Sequence, residues 1–144
     1  MTCLDATSAS EIVRKLGLLP HPEGGFYRET WRHDSGDGGR GAGTAIYFLL
    51  PADVENRWHR VDAAEVWHWY GGAPLELFIH GDGEAARTER LGPNLEDGEE
   101  PQRVVPPGAW QRAKTLGAFT LVGCTVSPAF VFDRFEVVDG EPPT

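Results

Sequence analysis

Few cysteines and no long hydrophobic run occur in this sequence. Only two of the 144 residues are cysteines, Cys3 and Cys124, which is too few for a disulfide framework, so a reducing cytoplasm is the expected compartment. No apolar run approaches the ~20 residues that span a bilayer. The N-terminal residues also lack the basic-then-apolar pattern of a signal peptide. We therefore expect a cytoplasmic protein with no membrane partner.

Positive charge is also scarce. The chain has 13 Lys and Arg against 22 Asp and Glu, which gives a formal net charge of −9. No basic cluster interrupts this balance. Because an acidic surface repels phosphate backbones, nucleic acid is excluded as an expected partner.

Glycine and proline, in contrast, are abundant. The sequence contains 18 Gly and 11 Pro, and apolar residues make up 40%. This composition favours short strands joined by tight turns. The length predicts a single domain over residues 1–144.

One helix is predicted near the N-terminus, over residues 8–16. Ser8 or Ser10 is suited to cap it and Glu11 lies in its first turn. Gly17 is the expected end of the helix.

About nine or ten short strands follow the helix, at a spacing of roughly 8–12 residues, which is typical of a β-sandwich or barrel. They are FYRETW, TAIYFLL, NRWHRV, EVWHWY, LELFIH, ARTERL, QRVV, AWQRA, FTLVGCTV and FVFDRFEVV. The glycine-rich segment 34–43 is either a solvated loop or a lid over a site. The fold class is therefore all-β.

The candidate site lies in the stretch from Trp58 to Gly72. If Asp62 begins a short turn, the strand that carries Glu65 folds back beside the strand that carries His59, and both side chains converge on one cavity. An imidazole beside a carboxylate suits a divalent metal. The same pair also suits acid–base catalysis.

This stretch resembles the first motif of the cupin superfamily, Gly-x5-His-x-His-x3-4-Glu-x6-Gly. His59 matches the first histidine, Glu65 the glutamate and Gly72 the closing glycine. Val61 replaces the second histidine and Asp53 replaces the leading glycine.

The second cupin motif, Pro-x-Gly-x2-His-x3-Asn, is matched in part by residues 106–108. Gln111 stands at the histidine position and Thr115 at the asparagine position. The resemblance implies a divalent transition metal held by His59, Glu65 and Gln111. Such a set keeps a single good nitrogen ligand, which counts against a metal site.

The segments PHPEGGFYRETWR, TAIYFLL, WHR-x3-(D/A)E-x-WH-x-Y-x-G and LVGCTVSPAF together resemble the uncharacterised cupin 5 (DUF985-type) family over roughly residues 8–138. This resemblance implies a cupin double-stranded β-helix, a jelly-roll barrel of about residues 24–138, with one short N-terminal helix. It also implies a homodimer, to which FYRETW is suited to lend a strand, and no settled reaction.

We expect His59 and Glu65 to be the catalytic pair of a pocket in this barrel. The other expected pocket residues are Gln111, Trp67, Tyr27, Arg28, Tyr47 and His68. By strand parity, His68 points away from His59, which favours a packing role.

A second polar cluster, with His21 and Glu23 at its start, precedes Tyr27 and Arg28. Because proline and glycine fix the backbone there, this segment either reaches the mouth of the barrel or forms an arm against a second subunit.

Three functions fit this site. In a metal-free sugar-nucleotide epimerase or isomerase, His59 abstracts a proton next to a carbonyl. Tyr27 or Tyr47 returns one, and Arg28 or Arg57 holds a phosphate. The alternatives are a divergent metal-dependent enzyme that uses the metal set above and a non-catalytic module that binds a small, sugar-like ligand.

Overall fold

The computed structural model describes residues 8–142, so Cys3 lies outside the described residues. One helix and eleven strands follow one another in the chain: α1 (Ala9–Leu16), β1 (Leu19–Pro20), β2 (Phe26–Arg32), β3 (Thr44–Pro51), β4 (His59–Val61), β5 (Ala64–Gly72), β6 (Leu75–His80), β7 (Arg87–Leu91), β8 (Gln102–Val105), β9 (Trp110–Thr115), β10 (Phe119–Ser127) and β11 (Phe135–Val137). No helix in this part of the chain is long and apolar enough to cross a membrane.

The predicted helix and its caps are confirmed. Ser8 precedes α1, and its side chain accepts a hydrogen bond from the backbone N–H of Glu11 at 3.3 Å. Gly17 ends the helix in the left-handed conformation, with φ of 66°. Ile12 is the buried residue of α1, which directs its apolar side onto the sheet.

Two facing sheets form the body of the protein. The six-stranded sheet has the order β1-β2-β3-β10-β5-β8, and the five-stranded sheet has the order β11-β4-β9-β6-β7. Neighbouring strands within both sheets are antiparallel. The prediction of an all-β jelly roll with one short N-terminal helix is confirmed.

The sequence TAIYFLL of strand β3 is apolar on both faces because both faces are buried. Phe48 and Leu50 point into the main core with Trp67 of β5. Leu49 points to the opposite face, where it packs with Ile12 of α1. Because the helix covers the outer face of β3, both faces of this strand are buried.

Strands β4 and β5 do not lie side by side, contrary to the prediction. β4 pairs with β9 and β11 in one sheet, whereas β5 pairs with β10 and β8 in the other. The chain crosses between the sheets at residues 62–63, where the Asp62 carboxylate is held by the Arg40 guanidinium at 2.8 Å. The side chains of β4 and β5 therefore meet across the interior of the sandwich.

Strand β2 lies near the edge of the six-stranded sheet of its own chain. It pairs along its length with β3, and β1 covers its outer side only at Phe26 and Tyr27. The glycine-rich loop after β2 is tied to the protein by Arg40, which donates to the carbonyl of Ala129 at 2.7 Å.

The C-terminal segment FVFDRFEVV is broken rather than one continuous strand as predicted. Phe132–Arg134 form a 3-10 turn, and only Phe135–Val137 join the sheet, against β4. The turn brings aromatic side chains to the open end of the sandwich.

Candidate functional site

A cavity of about 330 Å³ opens at one end of the sandwich. Strands of both sheets and the segment around the C-terminal 3-10 turn enclose it. Its lining includes five buried polar side chains, those of His21, Glu23, Thr44, His59 and Glu65. The remaining wall is mainly apolar and aromatic.

Glu23 is brought into this cavity by a tightly packed glycine turn. Gly24 and Gly25 have φ of +95° and +107°, a region that favours glycine. A side chain at Gly24 would clash with the backbone of Glu55, and one at Gly25 would lie 2.5 Å from the Phe48 ring. The turn therefore packs directly on the sheet and holds Glu23 at the cavity floor.

Asn56 fixes the Glu23 carboxyl group from behind. Its Nδ2 donates to Glu23 Oε2 at 2.8 Å and to the carbonyl of Gly24 at 3.1 Å. Its Oδ1 accepts from the backbone N–H of Ala113 at 2.8 Å. Because Asn56 is 1% exposed, these bonds link the glycine turn to the interior of the five-stranded sheet.

His59 lies next to Glu23. Its Nε2 is 3.1 Å from Glu23 Oε2. This contact lacks the geometry of a hydrogen bond, so Nε2 has no hydrogen-bond partner among the described residues. Nδ1 lies 2.7 Å from the carbonyl oxygen of Arg57 and donates to it, since a carbonyl only accepts. The neutral imidazole therefore carries its lone pair on Nε2, beside Glu23.

His21 faces Glu23 from the other side. Its Nδ1 accepts from the backbone N–H of Glu23 at 3.1 Å and lies 3.4 Å from Glu23 Oε1. Burial, with the nearby His59, lowers the pKa of His21 to about 3. The contact is therefore not an ion pair at neutral pH, because His21 is uncharged.

Glu65 is held by a chain of hydrogen bonds through Gln111. The amide Nε2 of Gln111 donates to Glu65 Oε1 at 2.8 Å. Its Oε1 accepts from the indole N–H of Trp67 at 2.9 Å. Because Gln111 is fully buried, it fixes the orientation of Glu65 from the core.

Burial favours the neutral forms of Glu23, Glu65 and His59. It raises the pKa of Glu23 to about 8, against the opposing effect of the Asn56 hydrogen bond. Burial, reinforced by Glu23, also raises the pKa of Glu65. Burial lowers the pKa of His59, although Glu65 opposes this. Protonated Glu23 then lies beside the lone pair of neutral His59, with Glu23 Oε2 3.1 Å from His59 Nε2.

The structure brings together six of the residues that sequence reasoning proposed for the site. His59, Glu65 and Tyr27 line the cavity, as does part of Arg28. Gln111 and Trp67 lie behind Glu65.

Tyr47 and His68 lie outside the cavity. Tyr47 is on the outer face of β3, 6.2 Å from the ring of Tyr70, because it alternates with Ile46 and Phe48, which point inward. His68 is on the outer face of β5, where its Nε2 lies 3.1 Å from Thr125 Oγ1. For His68 this agrees with the strand parity.

Neither arginine proposed as a phosphate ligand directs its guanidinium into the cavity. Arg28 pairs in register with Tyr47, and its guanidinium lies 5.6 Å from the centre of that ring on the outer face. Arg57 donates to the carbonyl of Pro22 and pairs with Asp139 at 3.2 Å. Both cationic groups are therefore engaged elsewhere.

The proposed metal set does not fit a metal ion in this arrangement. Both polar atoms of the Gln111 amide are engaged, one by Glu65 and the other by Trp67. Within residues 8–142, no three His, Cys, Asp or Glu side chains are placed to hold a metal ion.

Sequence reasoning missed part of the cavity. Phe130, Phe132 and Phe135 line it, but they were interpreted as positions of a regular strand. Glu23 was expected near the mouth or in a subunit arm, and not beside His59. The available signal was its position before two glycines, which indicated close backbone packing.

Two facing antiparallel sheets with buried His and Glu side chains at one open end define a cupin-type jelly roll. A family model described as "Cupin superfamily (DUF985)" matches residues 10–138. The chain therefore belongs to the Cupin_5 (DUF985) family.

Solved structures agree with this assignment. The crystal structure of protein SO0799 from Shewanella oneidensis is 36% identical, with a TM-score of 0.87, over 92% of this chain and 85% of that chain. A hypothetical protein from Leishmania major is 31% identical, with a TM-score of 0.82, over 90% of this chain and 86% of that chain.

More distant similarity extends to an enzyme of the same fold. Oxalate decarboxylase from Bacillus subtilis has a TM-score of 0.64 at 12% identity, over 83% of this chain and 29% of that chain. This similarity shows the fold alone. No match was found among curated proteins.

Proposed function

We propose that this protein is an enzyme that isomerises or epimerises a small molecule by moving a proton at a carbon next to a carbonyl group, without a metal. The observation that carries this proposal is the placement of His59 Nε2 3.1 Å from Glu23 Oε2, in a cavity that Glu65 also lines. Carboxyl groups with raised pKa values in a mainly apolar cavity suit proton transfer near neutral pH.

In this mechanism the Glu23–His59 pair acts as the base. When Glu23 passes its proton to the neighbouring His59 Nε2, the Glu23 carboxylate is free to take a proton from the substrate carbon. The electron pair of that C–H bond forms an enol, because the protonated Glu65 donates its proton to the carbonyl oxygen. Return of a proton to the other face of the same carbon gives the epimer, while the enol O–H proton goes back to the Glu65 carboxylate. Where that carbon carries a hydroxyl group, the hydroxyl loses its proton to Glu65 and the former carbonyl carbon takes up the proton held by Glu23, which gives the isomer.

The test is exchange of substrate carbon-bound hydrogen with D2O, followed by NMR over a panel of uncharged and phosphorylated sugars, aldehydes and ketones. We expect exchange that persists after treatment with EDTA. We expect Glu23→Gln and His59→Gln each to slow it by about 100-fold or more, the usual contribution of a general acid or base.

Two control variants keep this result specific. His80→Gln and Glu84→Gln change a histidine and a glutamate that do not line the cavity, and both should exchange like the unaltered protein. Loss of exchange on removal of metal would refute the metal-free mechanism. Ligands that bind to the unaltered protein without any exchange would make it a binding module.

A further inference from the structure

Among residues 8–142, Arg28 is the one arginine or lysine that lines the cavity, and its guanidinium lies over Tyr47 on the outer face of the sheet. The guanidinium groups of Arg28 and Arg57 are engaged elsewhere, as described above. Arg32 does not line the cavity, but it pairs with two residues that do. It forms two hydrogen bonds to the Glu29 carboxylate at 2.7 and 2.8 Å and donates to the carbonyl of Phe130 at 2.8 Å. The two lysines, Lys15 and Lys114, do not line the cavity. A bound anion would therefore have no positive partner.

The floor of the cavity also has little charge of its own. The groups that face Glu65 are Glu23 from the glycine turn, His59 from β4 and Cys124 from β10. Burial favours the neutral form of each of them at pH 7. A charged ligand group here would lose its hydration without an opposite charge to replace it, which is costly.

The walls provide an apolar surface instead. Leu19, Ile46, Val61 and Val126 line the cavity together with four aromatic rings. Those rings belong to Tyr27, Phe130, Phe132 and Phe135. The rings of Phe130 and Phe132 meet edge to face, with their centres 4.9 Å apart. Such walls bind planar or branched apolar groups.

We propose that the substrate is an uncharged small organic molecule with an apolar body and one carbonyl group, and that the cavity rejects ligands with phosphate or carboxylate groups. The inference that the substrate has a carbonyl group rests on the proposed function, in which a protonated carboxyl group of the cavity donates a hydrogen bond to the carbonyl oxygen. The inference that the substrate is uncharged rests only on the residues that line the cavity. A sugar nucleotide is therefore not the substrate.

Three ligands of similar size separate the charge classes: phenylacetamide, phenylacetate and phenethylamine, which are neutral, anionic and cationic at pH 7. Isothermal titration calorimetry measures the binding of each ligand to the protein. We expect the affinity for phenylacetamide to be about ten-fold or more above that for the other two, because each charged ligand loses its hydration without gaining a partner of opposite charge. The proposal would be overturned if phenylacetate or phenethylamine bound more tightly than phenylacetamide. It would also be overturned if none of the three ligands bound.

A variant with an added cation gives a second measurement. Leu19 lines the cavity yet is 68% exposed, so Leu19→Arg places a positive charge at the mouth without disturbing the core. It should strengthen phenylacetate binding about two- to five-fold, as an exposed ion pair does. Leu95, 69% exposed and away from this cavity, provides the control Leu95→Arg, which should change nothing. An equal gain in both variants would contradict a local charge effect.

The two proposals fail in different ways. Preference for phenylacetamide without any D2O exchange would leave the cavity's charge selectivity intact and remove the proposed enzyme activity. Faster exchange on a sugar phosphate than on the uncharged sugar would support the proposed enzyme activity and refute the charge selectivity of the cavity.

Discussion

At the scale of single residues, the Gln111 side chain is held on both sides by buried groups. It stands where the cupin pattern has a metal-binding histidine, but it connects two buried groups, Trp67 and Glu65, by hydrogen bonds of 2.9 and 2.8 Å. The amide uses its donor on one side and its acceptor on the other. Gln111 is therefore a positioning residue for Glu65.

Replacement of Gln111 tests this role. Gln111→Leu should lower the free energy of unfolding by about 1–3 kcal/mol, because the buried indole N–H of Trp67 loses its acceptor. The double variant with Trp67→Phe, which removes that N–H, should lose less than the sum of the two single variants. Urea unfolding measures all three, and additive losses would show that the hydrogen bond contributes little.

At the scale of elements, strand β2 has an incomplete edge. β1 pairs with only its first two residues, and Trp31, farther along β2, is 53% exposed. Open strand edges are usually covered. We propose that a second copy of the chain covers this edge in a homodimer, with β2 remaining in its own sheet.

Sedimentation at micromolar concentration tests the proposed dimer. Trp31→Lys should shift the protein toward the monomer, because an apolar contact is replaced by like charges across a two-fold axis. The control Leu95→Lys changes a residue of similar exposure outside β2 and should leave the assembly unchanged. A monomer in the unaltered protein would remove the idea.

The elements also show how far the sequence predicts this fold. The helix caps and the alternation of LELFIH identify α1 and β6, because local spacing determines both. The predicted pairing of β4 with β5 was wrong because a short connection after Val61 fits a hairpin as well as a crossing between sheets. The convergence of His59 and Glu65 was nevertheless predicted, since both side chains point into the interior. The contact of Glu23 with His59 joins distant segments. The two glycines after Glu23 indicate close backbone packing, but they do not identify the residue that Glu23 meets.

At the scale of the whole molecule, the buried site makes stability depend on pH. Burial raises the pKa of Glu23 from 4.5 to about 8, so the folded protein keeps a proton that the unfolded chain releases. Stability therefore falls as pH rises from 4.5 to about 8. His21, whose pKa is lowered from 6.5 to about 3, acts in the opposite sense, and stability falls as pH falls through that range.

Melting temperatures across these two ranges are the check. We expect a maximum between about pH 4.5 and pH 6.5, where the two effects oppose each other. Glu23→Gln should flatten the alkaline side, although Glu65 retains part of the slope because its pKa is raised as well. His21→Gln should flatten the acid side. Curves that run parallel to that of the unaltered protein would show that neither group is responsible.

The helix that covers β3 also has a practical consequence for handling the protein. Leu49, Phe119 and Leu121 are buried in the cluster that includes Ile12 and Leu18. A shortened chain that starts after Leu18 would expose this apolar sheet face to solvent, and such faces promote self-association. Tags and fusion partners therefore belong ahead of Ser8, and trimming the N-terminus for crystallisation should stop there.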